Sequence, residues 1–346
     1  MLLQDIWFFV WGLLWTIYFI TDGFDLGLGA LLPFLGRGET QKRVIYNAMG
    51  PLWNGNEVWL LTAGGVTFAA FPKVYAVMFS SFYAALMIIL FALIIRGVSF
   101  EFRHQVEDPR WHKFWDTCLF IGSLLPPVLL GTAFANIFQG IPFDQTGTYQ
   151  GSLFTLLNPY GLLGGILFLL LFLLHGSVWL AIKSEGELYE KALRTGKRVW
   201  PVLLIVAVIF LGASKWATCL YDNYLAYPPL FVLILITVAA LLGVRIFLGK
   251  RSLWKTWFSS ALTIIGATFF GIIGLFPTMF PSSLNPDYHL TAHNASSSPL
   301  TLGIMLGVAL VFVPIVLVYQ IWAYSLFKGK ISDRGLENEK GYGLTA

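Results

Sequence analysis

The chain has 346 residues, of which 57% are hydrophobic and only 12% charged, and its mean hydropathy is +0.73. A soluble domain carries roughly 25% charged residues, so a protein with a fully water-facing surface is excluded. The net charge of +4 is small and, as the loops show, confined to one side, which argues against a nucleic-acid partner.

A membrane span needs about 20 mostly apolar residues to cross roughly 30 Å of hydrocarbon. Nine stretches qualify, at about 7–35, 52–71, 75–95, 115–138, 160–182, 200–218, 228–247, 257–276 and 301–326. The first of these runs past any plausible cleavage site, so it reads as a span and not as a signal peptide. Period-two alternation, which barrels need, is absent. The chain is therefore expected to be all-α, a polytopic transmembrane helical bundle that forms a single integral-membrane domain. Its helices satisfy their own backbone hydrogen bonds in lipid. The 13 Trp and 30 Phe suit interfacial belts and a lipid-facing surface.

Basic residues test the count. One set of connections holds Arg37, Lys42, Arg43, Arg96, Arg103, Arg110, Lys113, Lys183, Lys191, Arg194, Lys197, Arg198, Arg245, Lys250, Arg251 and Lys255. The tail adds Lys328, Lys330, Arg334 and Lys340, while the opposite side has only Lys73 and Lys215. Twenty of the 22 basic residues thus share one face, which the positive-inside rule makes cytoplasmic. The N-terminus is expected outside and the C-terminus in the cytoplasm. Eight spans plus one suit two four-helix bundles with a peripheral helix. The connection at Phe71-Pro72-Lys73-Val74 is short enough to make spans two and three antiparallel neighbours. The loops 139–159 and 277–300, rich in Gly, Pro, Ser and Asn, read as ordered by turns.

Charges inside spans are costly and mark candidate sites. Asp22 and Asp25 in span one are three apart and share a helix face. Asp25 lies roughly 15 Å in from the inner end of its span at 1.5 Å per residue. In span two Asn54 and Glu57 share a face in the same way, with Glu57 roughly 10 Å in from the cytoplasm. Glu101 sits beyond span three, between Arg96 and Arg103, at the cytoplasmic mouth. Two readings are open and compatible. These groups can hold helices together through hydrogen bonds, or they can carry protons inward, since carboxylates at low-dielectric depth exchange protons at raised pH. A cation site would use the same oxygens, and a secondary transporter with its cation or proton site in the first hairpin is the alternative function. The paired mid-membrane breaks typical of transporters are not apparent.

Histidine narrows the field. Only His175 lies deep in a span, and a membrane cytochrome needs paired axial ligands for each haem. No haem or other cofactor, no metal and no catalytic residue is expected in this chain. His175 reads as a polar group satisfied at a helix interface. Cys118 and Cys219 sit at opposite membrane faces, too far apart for a disulfide, and read as structural thiols. Gly27, Gly29, Gly64 and Gly65 read as close helix contacts. Walker A, CxxC and HExxH motifs are absent.

The run Thr21-Asp22-Gly23-Phe24-Asp25-Leu26-Gly27, then Trp53-Asn54-Gly55-Asn56-Glu57-Val58-Trp59-Leu60 and Thr62-Ala63-Gly64-Gly65, resembles cytochrome bd ubiquinol oxidase subunit II. Ala70-Phe71-Pro72, Arg96 to Arg103, His175-Gly176 and Ser296 to Leu302 fit as well, so the likeness runs from the first span to the last. The resemblance implies a multi-pass protein of the bacterial cytoplasmic (inner) membrane. Its partner would be a haem-bearing subunit I with two haems b and one haem d. That complex oxidises quinol at the outer face and reduces dioxygen to water with protons drawn from the cytoplasm. Subunit II in this family lacks haem, supports subunit I and helps form a proton path. Some members hold a structural quinone in it, and a small single-span accessory subunit is left open. In some members an aspartate assigned to the proton path stands where this chain has Asn54. Asn cannot pass a proton by ionising, so Glu57, one turn along, is expected to take over that role, or Asn54 only orients a water.

Overall fold

The computed structural model describes residues 2–331, so Arg334 and Lys340 of the basic tail lie outside the described residues. Three of the long helices begin at recognisable caps. In α6 (Pro109–Gln139), α8 (Pro159–Lys183) and α13 (Pro299–Leu326) a proline at the first helical position follows Asp108, Asn158 or Ser298. Each of those side chains accepts a hydrogen bond from a first-turn amide, at 2.7, 2.8 and 3.2 Å. A proline loses nothing there, because that amide has no intrahelical partner.

The other long helices are α1 (Leu2–Leu35), α3 (Trp53–Ala70), α5 (Tyr83–Phe102), α9 (Gly186–Ala217), α11 (Phe231–Gly249) and α12 (Leu253–Leu275). Shorter ones are α2 (Glu39–Met49), α4 (Pro72–Ser81), α7 (Leu153–Leu156) and α10 (Leu220–Ala226). A small hairpin pairs β1 (Thr278–Phe280) with β2 (Leu290–Thr291). Among the described residues, eight helices have the length and apolarity to cross a membrane. The expected second span is not among them: it is α3, whose first turn, with Asn54, Asn56 and Glu57, makes its 18 residues less apolar. The expected third span is divided, α4 and α5 meeting at Phe82. The 36–51 connection, read as a loop, holds α2.

The spine of the fold is the packing of α1, α6 and α8 on one another, with α3 against α1, α5 against α6, α9 and α12 against α8, and α11 against α12. α8 packs on both α1 and α6, because glycines let the backbones touch. A Cβ on Gly27 would lie 1.8 Å from the Phe172 carbonyl oxygen, and one on Gly131 2.4 Å from that of Gly164. Gly64 and Gly65 differ: a Cβ on either meets nothing within 4 Å, so within this chain they border open space and make no close helix contact. Gly27→Ala should force α1 and α8 apart and cost about 1–3 kcal/mol. The check is the melting temperature of the purified protein in detergent, and an unchanged value would show that the contact relaxes freely.

The basic connections gather at one end. There Lys42 and Arg103 meet Asp116, Lys330 lies by Glu185, and Arg251 pairs with Glu190. The N-terminal turn gathers with the loops at the other end, where His293 pairs with Asp5 and the Ser297 amide donates to the Ala70 carbonyl. α13 is peripheral. Of its described residues only Leu302 is buried, under a hydrogen bond from the Trp7 indole.

Candidate functional site

The buried residues of α3 are Asn56, Trp59, Ala63, Thr67 and Ala70, a stripe spaced three and four residues apart that faces α1. Ala63, Thr67 and Ala70 are small enough to let the two helices close. Extending the stripe backward places Asn56, not Asn54, against α1. The Asn56 Nδ2 donates to the Asp25 Oδ2 at 2.7 Å, and both residues are fully buried. On its other side Asn56 Oδ1 accepts from the Tyr324 hydroxyl at 2.6 Å and from Gln320 Nε2 at 3.0 Å. Gln320 is itself held by the Trp59 indole at 2.8 Å.

Asp22 faces a different partner. Arg96 reaches in from α5 and grips it with both terminal nitrogens, Nη1 at 2.9 Å from Oδ2 and Nη2 on Oδ1. Both side chains are fully buried. The countercharge to Asp22 thus comes from within this chain. Two buried polar atoms in this neighbourhood, Asp25 Oδ1 and Arg96 Nε, have no hydrogen-bond partner among the described residues. Such atoms are uncommon in a folded interior and call for an explanation.

Glu57 and Asn54 turn the other way, into a lateral cleft of about 1350 Å³ between α3 and α5, and Glu101 lines the same cleft. Most of the lining is apolar, from Val58, Leu61, Phe68 and Tyr83 among others. Trp53, which lines the basic end of the cleft, stacks on Phe100 with ring centroids 5.3 Å apart, and α4 lines the other end through Tyr75, Met78 and Phe79. Glu101 is exposed, Glu57 is half-buried within electrostatic range of Arg96 and Asp22, and Asp22 and Asp25 lie fully inside. The five expected site residues thus form two groups: three on the cleft wall and two in the interior behind α3. Arg96 and Arg103, which flank Glu101 in the sequence, pair elsewhere, Arg96 with Asp22 and Arg103 with Glu39 and Asp116.

Beyond Glu101 the basic end is tied by a charged network. Arg103, fully buried, donates to Asp116 at 2.7 Å and to both oxygens of Glu39 at 2.7 and 3.0 Å, and its guanidinium lies 4.8 Å from the centre of the Tyr46 ring. Burial acts to raise the Glu39 carboxyl, but Arg103 outweighs it and holds the group below the ordinary range. Burial, with the charges of Arg103 and Arg43, pushes the neighbouring His104 down to about 4. Both shifts have one sign. Between the ordinary histidine value near 6.5 and about 4, the unfolded chain binds a proton that folded His104 refuses, and below the ordinary carboxylate range the same holds for Glu39. Stability from this end should therefore be fully present at neutral pH and fall as pH drops from about 6.5 to 4. His104→Gln should flatten the upper part of that fall, as melting temperatures measured across this range would show. An equally steep fall in the variant would sink the assignment.

His175 is fully buried. Its Nδ1 lies 3.0 Å from Ser260 Oγ, its Nε2 3.2 Å from the Ile20 carbonyl, and its ring stacks on Trp257. Cys118 and Cys219 are free thiols. Among the described residues no three His, Cys, Asp or Glu side chains are grouped to hold a metal.

A family profile described as cytochrome bd terminal oxidase subunit II matches residues 3–327. The chain is 36% identical to the cytochrome bd-I ubiquinol oxidase subunit 2 of Escherichia coli, with 97% of each chain covered. It is also 36% identical to the cytochrome bd ubiquinol oxidase subunit 2 of Bacillus subtilis, over 96% of this chain and 98% of that one. In fold it is similar to a chain of the bd oxidase from Geobacillus thermodenitrificans, with a TM-score of 0.77, 17% identity, and 94% and 99% of the two chains covered. None of these relatives supports the transporter alternative.

Proposed function

The chain belongs to the cytochrome bd terminal oxidase subunit II family, and from that premise we propose that it serves as the redox-inactive subunit of a quinol oxidase and conducts protons inward to its haem-bearing partner. The observation that supports this reading most directly is the descent of carboxylates from exposed Glu101, through half-buried Glu57 on the cleft wall, to buried Asp22 and Asp25. Burial excludes water from the inner pair, and the Arg96 countercharge makes an ionised carboxylate tolerable there. Protons enter at Glu101 from the cytoplasm, pass Glu57 and reach the aspartates. Asn54 beside them can orient a water but carries no proton by ionising.

The haems of the complex, two b and one d by the family resemblance, belong to subunit I on this reading. His175 does not fit an axial ligand, because hydrogen bonds engage both ring nitrogens and Trp257 covers the ring. The nine-span arrangement, with the N-terminus outside, α3 as the short second span and two four-helix bundles plus α13, accords with the gathering of basic connections at one end. The cleft is apolar except near Asn54, Glu57 and Glu101, which suits the isoprenoid tail of a quinone or a lipid chain. The outer face of α13 offers a surface to lipid and to a small single-span accessory subunit. The bacterial inner membrane is the location.

The test is purification from the native membrane by a tag on the C-terminus. A larger partner with b- and d-type haem bands and quinol-dependent oxygen uptake is the expected result. A colourless protein purified alone, from membranes that do contain such haems, would overturn it.

A further inference from the structure

α13 is an apolar helix that touches the rest of the chain lightly, yet one of its few strong attachments is polar and reaches the interior. The hydrogen bonds there run in a single direction. The Trp59 indole can only donate, and it donates to Gln320 Oε1. Gln320 Nε2 therefore faces Asn56 Oδ1, and Tyr324 donates to the same oxygen, at 3.0 and 2.6 Å. With its oxygen doubly occupied, the Asn56 amide must turn its Nδ2 to Asp25. Each donor of this series, from Trp59, Gln320, Tyr324 and Asn56, points toward that carboxyl. Donors in series polarise one another, and a hydrogen bond to an ionised acceptor is about twice as strong as one between neutral groups. The arrangement thus directs one polarised donor at Asp25 Oδ2 and holds the carboxyl in place.

It is also a poor wire. Two amides and an indole cannot relay a proton by titrating, so the branch ends at α13. The other oxygen, Asp25 Oδ1, has no partner among the described residues and is the one left for exchange. The charged and titratable groups around Asp25 are Asp22 and Tyr18 on its own helix, Glu57 on α3, Arg96 on α5 and Tyr324 on α13. From α8 and α6, His175 lies by the Ile20 carbonyl and Ser123 packs on Gly29 along the same helix.

We propose that Tyr324 and Gln320 are positioning residues for Asp25: acting through Asn56, they fix its carboxyl and set the pH range over which it passes protons. This rests on the reading that Asp25 belongs to the proton-uptake route. Loss of the Tyr324 hydroxyl takes away one of the two donors that polarise Asn56, so the proton should stay on Asp25 to higher pH.

The experiment uses the intact oxidase complex and measures quinol-driven oxygen consumption against pH, with Asp25→Asn, Tyr324→Phe and Gln320→Leu in this subunit. Tyr324→Phe should keep the haem spectrum and near-normal maximal turnover, with the whole pH–turnover profile displaced upward by roughly half a unit. Gln320→Leu should move it the same way, and it carries the test if the Tyr324 variant does not assemble. A profile that stays in place, or that falls evenly at every pH, would overturn the proposal and leave α13 a structural attachment. Asp25→Asn separates the two ideas. If it slows turnover while the α13 variants leave the profile unmoved, only this proposal fails. If it turns over like the parent, the proton-route reading of Asp25 fails first.

Discussion

Oxidase carrying Arg96→Leu in this subunit is expected to accumulate poorly in the membrane and, where it assembles, to melt well below the parent. The variant leaves Asp22, which is fully buried, without the guanidinium that holds both its oxygens. Removing one partner of a buried pair typically costs about 3–5 kcal/mol. Against a total stability on the order of 5–15 kcal/mol, that is a large fraction. The double variant Asp22→Asn/Arg96→Leu should recover much of the loss, because an amide and an aliphatic chain leave no charge to solvate. The readouts are haem absorbance per milligram of membrane protein and the melting temperature of the purified complex. Normal assembly of the single variant would show that the pair contributes little, and failure of the double variant to improve on it would show that Arg96 acts through packing.

The pair also marks how far a sequence can be read here. Asp22, Asp25 and Glu57 stand out because charge in an apolar run is conspicuous, and the spacing of three within each helix needs only the helical repeat. Arg96 stands out less. It lies at the end of its apolar run, where a basic residue ordinarily faces the cytoplasm, and nothing local says that it turns inward to an aspartate 74 positions earlier. Asn54 and Asn56 differ by helix rotation. Both amides precede the same apolar run, and only the stripe of Ala63, Thr67 and Ala70 against α1, small residues at helical spacing, decides which one is inside. Gln320 and Tyr324 share a face of α13 by their spacing, but their target is on another helix. The divided third span and the short α3 were hidden for a different reason. Hydropathy sees how apolar a stretch is, not where Phe82 interrupts its backbone or how a polar first turn is satisfied.

Glu57→Gln should slow quinol-driven oxygen reduction about tenfold or more, while the haem spectrum and the amount of complex stay as in the parent. The substitution keeps the shape of the side chain and removes only its capacity to hold and release a proton. Glu57 is the carboxylate between the exposed end of the cleft and the buried aspartates, and the amide of Asn54 beside it cannot substitute. Glu101→Gln should have a smaller effect, about twofold, because Glu101 is exposed and water can deliver protons past it. The sharper test is rescue. Asn54 faces the same cleft as Glu57, so Asn54→Asp placed in the Glu57→Gln background returns an ionisable group to that wall and should restore a substantial part of the turnover. If Glu57→Gln runs at the parental rate, protons reach the aspartates without it and the cleft wall is not their path. If it is slow and Asn54→Asp does not help, the position of the carboxyl on α3 matters as well as its presence, and the handover to Asp22, which Arg96 holds, must be made from Glu57 itself.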